Sequence, residues 1–262
     1  MKFLSRLKHY KYQKGLVLSG GGARGIAHLG TAKALYEAGE VFDVIVGTSM
    51  GAIVGCLLAD KQNPDDIIKL FTPKNMRSFI RPLLSNKGML TMDGARKMLK
   101  AILTTENIED LSIPFMACAT NLSSGRPEYF ESGNIIDAVI ASAGIPVVFA
   151  PAIINNNQYV DGGVLNNLPV RKIRNNCKKI IGSHVNPQTL GLENGQVLGL
   201  IHIADRAFHL CIQGNTEEDR EMCDLYLEHT NLNDIGTFDF NKADEIFRRG
   251  YENTKRLLNN NR

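Results

Sequence analysis

The 262-residue sequence contains no run of about 18–20 uncharged apolar residues, the length needed to cross a bilayer, so any membrane contact is expected to be peripheral. It contains no C-x-x-C pair. Cys56, Cys118, Cys177, Cys211 and Cys223 are odd in number and scattered, which argues against a disulfide framework or a zinc site and suits reduced, mostly buried thiols. It also lacks a strong charge of either sign: 30 Lys and Arg against 27 Asp and Glu leave a net +3, too little to imply nucleic-acid binding without a clustered basic face. The first fourteen residues, MKFLSRLKHYKYQK, carry no acid at all. They also lack the continuous apolar stretch and small-residue cleavage site of a secretory signal, so a cytoplasmic protein is expected. This basic segment, 1–14, reads as an N-terminal extension. Phe3, Leu4 and Leu7 share a helical face amid Lys2, Arg6 and Lys8, which suits either an anionic membrane surface or a solvated terminus.

What is present is enough apolar sequence for a sizeable core, 44% of residues, and one α/β domain over 15–262 is expected. Short β-type runs at 15–20 and 41–47 alternate with helical stretches at 23–37 and 51–59, as right-handed βαβ units of a mainly parallel sheet flanked by helices require. Further strands are expected at 113–120, 127–132, 158–161, 178–185 and 223–229, and further helices at 93–103, 134–143, 196–213 and 241–258. Residues 63–92 are apolar but broken by Pro64, Pro73 and Pro82. They read as a lid, an acyl-chain groove or a buried helical insertion.

The stretch LVLSGGGARGIAHLG raises the chemical question. Gly20, Gly22 and Gly25 fit G-x-G-x-x-G, the dinucleotide fingerprint, which also demands an acid at the end of the next strand to hold the ribose. That strand, VFDVIVG, ends without one, and GTSMG follows. Gly47-x-Ser49-x-Gly51 fits a nucleophile elbow at a strand-to-helix turn, where the two glycines give the backbone room and the helix N-terminus favours developing negative charge. Ser49 alone also suits an ordinary helix start. An activated serine needs a base and donors for an oxyanion. Asp161, in QYVDGG, stands at a strand end before Gly162 and Gly163, where Asp-Gly is also a common turn. If the first two strands are neighbours, Gly20, Gly21 and Gly22 lie beside Ser49 and their amides can serve a carbonyl oxygen instead of a phosphate.

In order and spacing, SGGGARG, GTSMG, ASAGIPVVFAP and DGG resemble the patatin-like phospholipase family, and the likeness runs on through VLNNLPV. The resemblance implies a three-layer α/β/α fold and a lipid acyl hydrolase working through a Ser–Asp dyad, with Ser49 as nucleophile and Asp161 as base. It places the oxyanion hole on Gly20, Gly21, Gly22 and Arg24, and it implies no metal and no other cofactor. Arg24 suits anion stabilisation or anchoring of the loop by salt bridge. The expected partner is a phospholipid or other fatty-ester substrate.

Other chemistries share parts of this pattern. An acyltransferase or thioesterase would use the same acyl-enzyme. His184, in GSHVNP, follows Asp161 in the order of a Ser–Asp–His triad, whereas His28, His202 and His209 read as structural. A nucleotide-binding oxidoreductase lacks its ribose acid, and a lipid-binding scaffold without turnover leaves the three motifs unexplained.

Overall fold

The computed structural model describes residues 9–72, 75, 81–82, 90–186 and 199–260. Strands β1 (Tyr12–Leu18), β2 (Val44–Thr48), β5 (Phe115–Asn121), β6 (Arg126–Phe130), β7 (Ala152–Ile154), β8 (Asn157–Asp161), β9 (Cys177–His184) and β10 (Leu225–Glu228) form one sheet, and β3 (Arg81–Pro82) pairs with β4 (Leu90–Thr91) apart from it. The sheet runs β10-β9-β1-β2-β5-β8-β7, with β6 also on β5. Pairs among β10, β9, β1, β2 and β5 are parallel; β6, β7 and β8 add antiparallel pairs.

Residues of the central strands alternate between two cores, as the period of two in a strand dictates. Leu16, Leu18, Ile45, Phe115 and Ala117 pack into the larger cluster, while Val17, Val44, Val46 and Met116 join the smaller one. A strand buried on both faces needs cover on both, and its residues are accordingly apolar throughout. Helices α1 (Ala27–Glu37) and α2 (Met50–Ala59) contribute Leu29, Leu35, Ile53 and Leu57 to the larger core. The short Val170–Ile173 helix contributes to the other.

Three details differ from the sequence expectation. β1 begins at Tyr12, inside the basic segment 1–14, because Tyr12 is buried against the smaller core and Lys14 pairs with Glu40. The first helix opens with a 3-10 turn, Gly22–Ile26, and turns α-helical at Ala27. The helix expected to end at 213 runs over Leu200–Glu221. Its polar second half is fastened by side chains: Asn215 bonds the backbone at Gly163 and Asn167, and the fully buried Asp219 receives Arg171. Phe3, Leu4 and Leu7 lie outside the described residues, as does much of 63–92. Of the latter segment, Phe71 is buried in the main core and Leu90 bonds to Val148 and Ala150.

Candidate active site

Strand β2 ends at Thr48, α2 begins at Met50, and Ser49 between them has φ 56° and ψ −125°. This is a costly conformation for a residue with a Cβ, and it persists because the surroundings impose it. A Cβ on Gly47 would stand 2.2 Å from the Gly51 carbonyl oxygen, and one on Gly51 would stand 2.4 Å from the Leu18 carbonyl oxygen. Only glycine fits at either position. The Ser49 amide donates to Ser142 Oγ at 2.8 Å, and Ser142 donates to the Cys118 carbonyl at 2.6 Å. Ser142 therefore ties the turn at Ser49 to β5 and takes up the Ser49 N–H. Nothing in the local pattern ASAGIPVVFAP marks this serine, whose role depends on the approach of β5.

The register of β5 explains how Asp161 arrives. Its residues Ala117 and Cys118 pair with both β2 and β6, so those two strands lie on opposite edges; Ala119 to Asn121 pair with both β6 and β8. β2 and β8 must then follow each other along one edge. Cys118 faces Thr48, and the next residue, Ala119, faces Asp161. The reversed strand β8 thus meets β2 end to end.

The outcome is a hydrogen bond from Ser49 Oγ to Asp161 Oδ2 of 2.5 Å. The Gly163 amide holds Asp161 Oδ1 at 2.8 Å. Asp161 is fully buried, and loss of water pushes its carboxyl up to about 7, against the opposing pull of these two bonds. A carboxyl with that value can both take and return a proton near neutral pH.

The glycine loop lies alongside. The Gly20 amide is already engaged by the Asn167 carbonyl at 3.2 Å, and its carbonyl accepts from Asn186 Nδ2 at 2.6 Å. Among the described residues, no acceptor is bonded to the amides of Gly21 and Gly22. Arg24 is buried and braces the loop from below, bonding the Ile235 carbonyl at 3.3 Å and Asn186 Oδ1 at 3.2 Å.

A family model for patatin-like phospholipase matches residues 16–173, which include the glycine loop, Ser49 and Asp161. The chain belongs to the patatin-like phospholipase family. It is 36% identical over 160 residues to an uncharacterized NTE family protein of Mycobacterium tuberculosis, covering 60% of this chain and 44% of that one. It is 29% identical over 277 residues to a lysophospholipase, nte1, of Aspergillus fumigatus, covering 93% of this chain and 18% of that one. The chain thus spans less than half the length of these curated relatives. Its fold is similar to that of VipD from Legionella pneumophila, with a TM-score of 0.55 at 17% identity over 99% of this chain and 72% of that one.

In this patatin-like chain the cavity at Ser49 measures about 10 Å³ and is closed by Ile145 and by Phe208, His209 and Ile212 of the Leu200–Glu221 helix. None of the described residues of 63–92 lines it. Clefts of about 460 and 570 Å³ lie elsewhere on the described surface, away from Ser49 and Asp161. His184 is hydrogen-bonded through Nδ1 to the Tyr226 hydroxyl at 2.9 Å, with the rings stacked, and its Nε2 meets neither Ser49 nor Asp161. Burial pushes it down to about 3. His28 bonds the Ser19 carbonyl at 2.8 Å and Ser183 at 2.9 Å, supporting the strand end below the glycine loop.

Proposed function

We propose that this chain hydrolyses fatty-acyl esters of lysophospholipids and phospholipids through a Ser49–Asp161 dyad and an acyl-enzyme. The 2.5 Å bond between Ser49 Oγ and a buried carboxyl raised to about 7 carries the reading. The substrate class comes from the relatives, among them a lysophospholipase.

Asp161 takes the Ser49 proton as Oγ attacks the ester carbonyl. The oxyanion forms against the Gly21 and Gly22 amides, with the N-terminus of α2 adding favourable field. The same carboxyl then protonates the departing alcohol. Next it takes a proton from water, which attacks the acyl carbonyl, and returns that proton to Ser49 Oγ as the fatty acid leaves. Gly20 shapes the hole without donating to it, and Arg24 serves it as an anchor. The chain from β1 onward acts as one acyl-hydrolase domain working in the cytoplasm, and the basic residues that precede Tyr12 favour contact with an anionic membrane surface. No described helix is long and apolar enough to cross a membrane.

A fluorophosphonate probe should label the wild type and not Ser49→Ala, and lipid mass spectrometry should find fatty acid released from a phospholipid and lysophospholipid panel by the wild type alone. Equal labelling of both proteins would refute the dyad, and release only from small soluble esters would refute the lipid substrate.

A further inference from the structure

Asn167 is wholly buried, yet neither its Oδ1 nor its Nδ2 has a hydrogen-bond partner. Its backbone is held on both sides: the amide donates to Asn215 Oδ1 at 2.9 Å, and the carbonyl accepts from Gly20. The chain therefore fixes this residue firmly while leaving its carboxamide empty-handed. Buried side-chain amides are nearly always bonded, so a group with both ends orphaned calls for a bound species. Asn167 lines the same cavity as Ser49 and Asp161. Its Oδ1 lies 2.7 Å from where a Cβ on Gly20 would stand, a point itself 3.0 Å from Ser49 Cβ, and 3.3 Å from the corresponding point on Gly163, whose amide pins Asp161.

The species that satisfies both ends must donate and accept through a small group. An ester carbonyl only accepts, whereas water or an alcohol hydroxyl does both. The cavity of about 10 Å³ is also close to the roughly 10–15 Å³ that one water needs.

We infer that Asn167 is a catalytic residue that binds the oxygen of the attacking water in deacylation and of the departing alcohol in acylation. The inference rests on the Ser49–Asp161 reading. In deacylation, Asp161 removes one proton from the water held by Asn167, and the water oxygen bonds to the acyl carbon. The bond from that carbon to Ser49 Oγ then breaks, and Oγ recovers the proton from Asp161. The departing alcohol occupies the same place in the first half-reaction because the same carboxyl must protonate it.

A rapid-mixing assay with a p-nitrophenyl acyl ester tests this, since p-nitrophenolate leaves without needing a proton and the first half-reaction is spared. Asn167→Leu should keep a nitrophenol burst near one equivalent and keep fluorophosphonate labelling at Ser49. Its steady-state turnover should fall about tenfold or more, with acylated Ser49 accumulating by mass spectrometry. Because the removed amide has no partner, the melting temperature should hold or rise, whereas a structural role demands a fall; Asn167→Ala repeats both measurements with a smaller side chain. Unchanged turnover, burst and turnover lost together, or a lowered melting temperature in both variants would overturn the assignment. Absence of Ser49 labelling in the wild type would instead overturn the dyad on which it rests.

Discussion

Two buried polar clusters share the end of β1. In one, His28 Nε2 meets the Ser19 carbonyl and Nδ1 meets Ser183, while His229 Nε2 meets Thr31 at 3.0 Å and Nδ1 meets Asn253 at 3.2 Å. A carbonyl can only accept, so His28 carries its proton on Nε2; an amide nitrogen can only donate, so His229 carries its own on Nε2 as well. Each ring is neutral and each nitrogen is satisfied. In the other cluster Ser49 is held at a positive φ, Asp161 is raised to about 7, and Asn167 has no partner at either end. The first arrangement holds the backbone of the glycine loop in place; the second leaves free energy unspent in the fold, available to a reacting group.

The sharpest way to separate the clusters is to disable each. Ser49→Ala should lower turnover on the order of 10⁴-fold or more while leaving the urea midpoint unchanged or higher, since no favourable backbone geometry is lost. His28→Leu or His229→Leu should do the reverse, costing roughly 2–4 kcal/mol in urea unfolding by taking a buried partner from Ser19 and Ser183 or from Thr31 and Asn253, with Ser49 labelling retained in the folded fraction.

Titration sharpens the contrast further. The folded protein binds more protons at Asp161 than the unfolded chain between its ordinary 3.8 and about 7. Stability at this residue therefore rises as pH falls through that window, and its burial is most costly above pH 7. His28 and His229 are pushed down to about 4 and about 3 by burial, so their contribution is complete above the usual 6.5 and is lost as pH falls below it. Asp161→Asn should raise the melting temperature by several degrees at pH 8 and barely at pH 4, and the wild-type kcat/KM for a soluble ester should rise about tenfold per pH unit up to about 7 and then level. The smallest effect is expected at Ser142→Ala, which frees the Ser49 amide and should lower kcat about tenfold with KM little changed, Ser142→Thr restoring part of it.

Most of the sheet was legible because its strands are local apolar runs bounded by glycine and turn residues, and Ser49 and Asp161 stood out because each occupies a short motif with glycine neighbours. The contacts that complete the site were not legible, for physical reasons. Ser142 matters only because β5 brings the Cys118 carbonyl beside the elbow, and the relation of β8 to β2 depends on a change of partner along β5 that no local pattern encodes. Asn167 is distinguished by bonds it does not make. The second half of the Leu200–Glu221 helix lies beyond the expected end at 213, because the partners that fasten Asn215 and Asp219 lie some fifty residues away in the chain.

The end-to-end meeting of β2 and β8 has a mechanical consequence. Ser49 and Asp161 are referenced to adjacent rungs of the same strand, so bending or twisting of the sheet displaces both reacting atoms together and leaves their separation nearly constant. Phe208 and Ile212, which line the small cavity on its other side, belong to a helix outside that ruler. That wall of the cavity can therefore yield without changing the distance between Ser49 Oγ and Asp161 Oδ2 on which the proposed proton transfer depends.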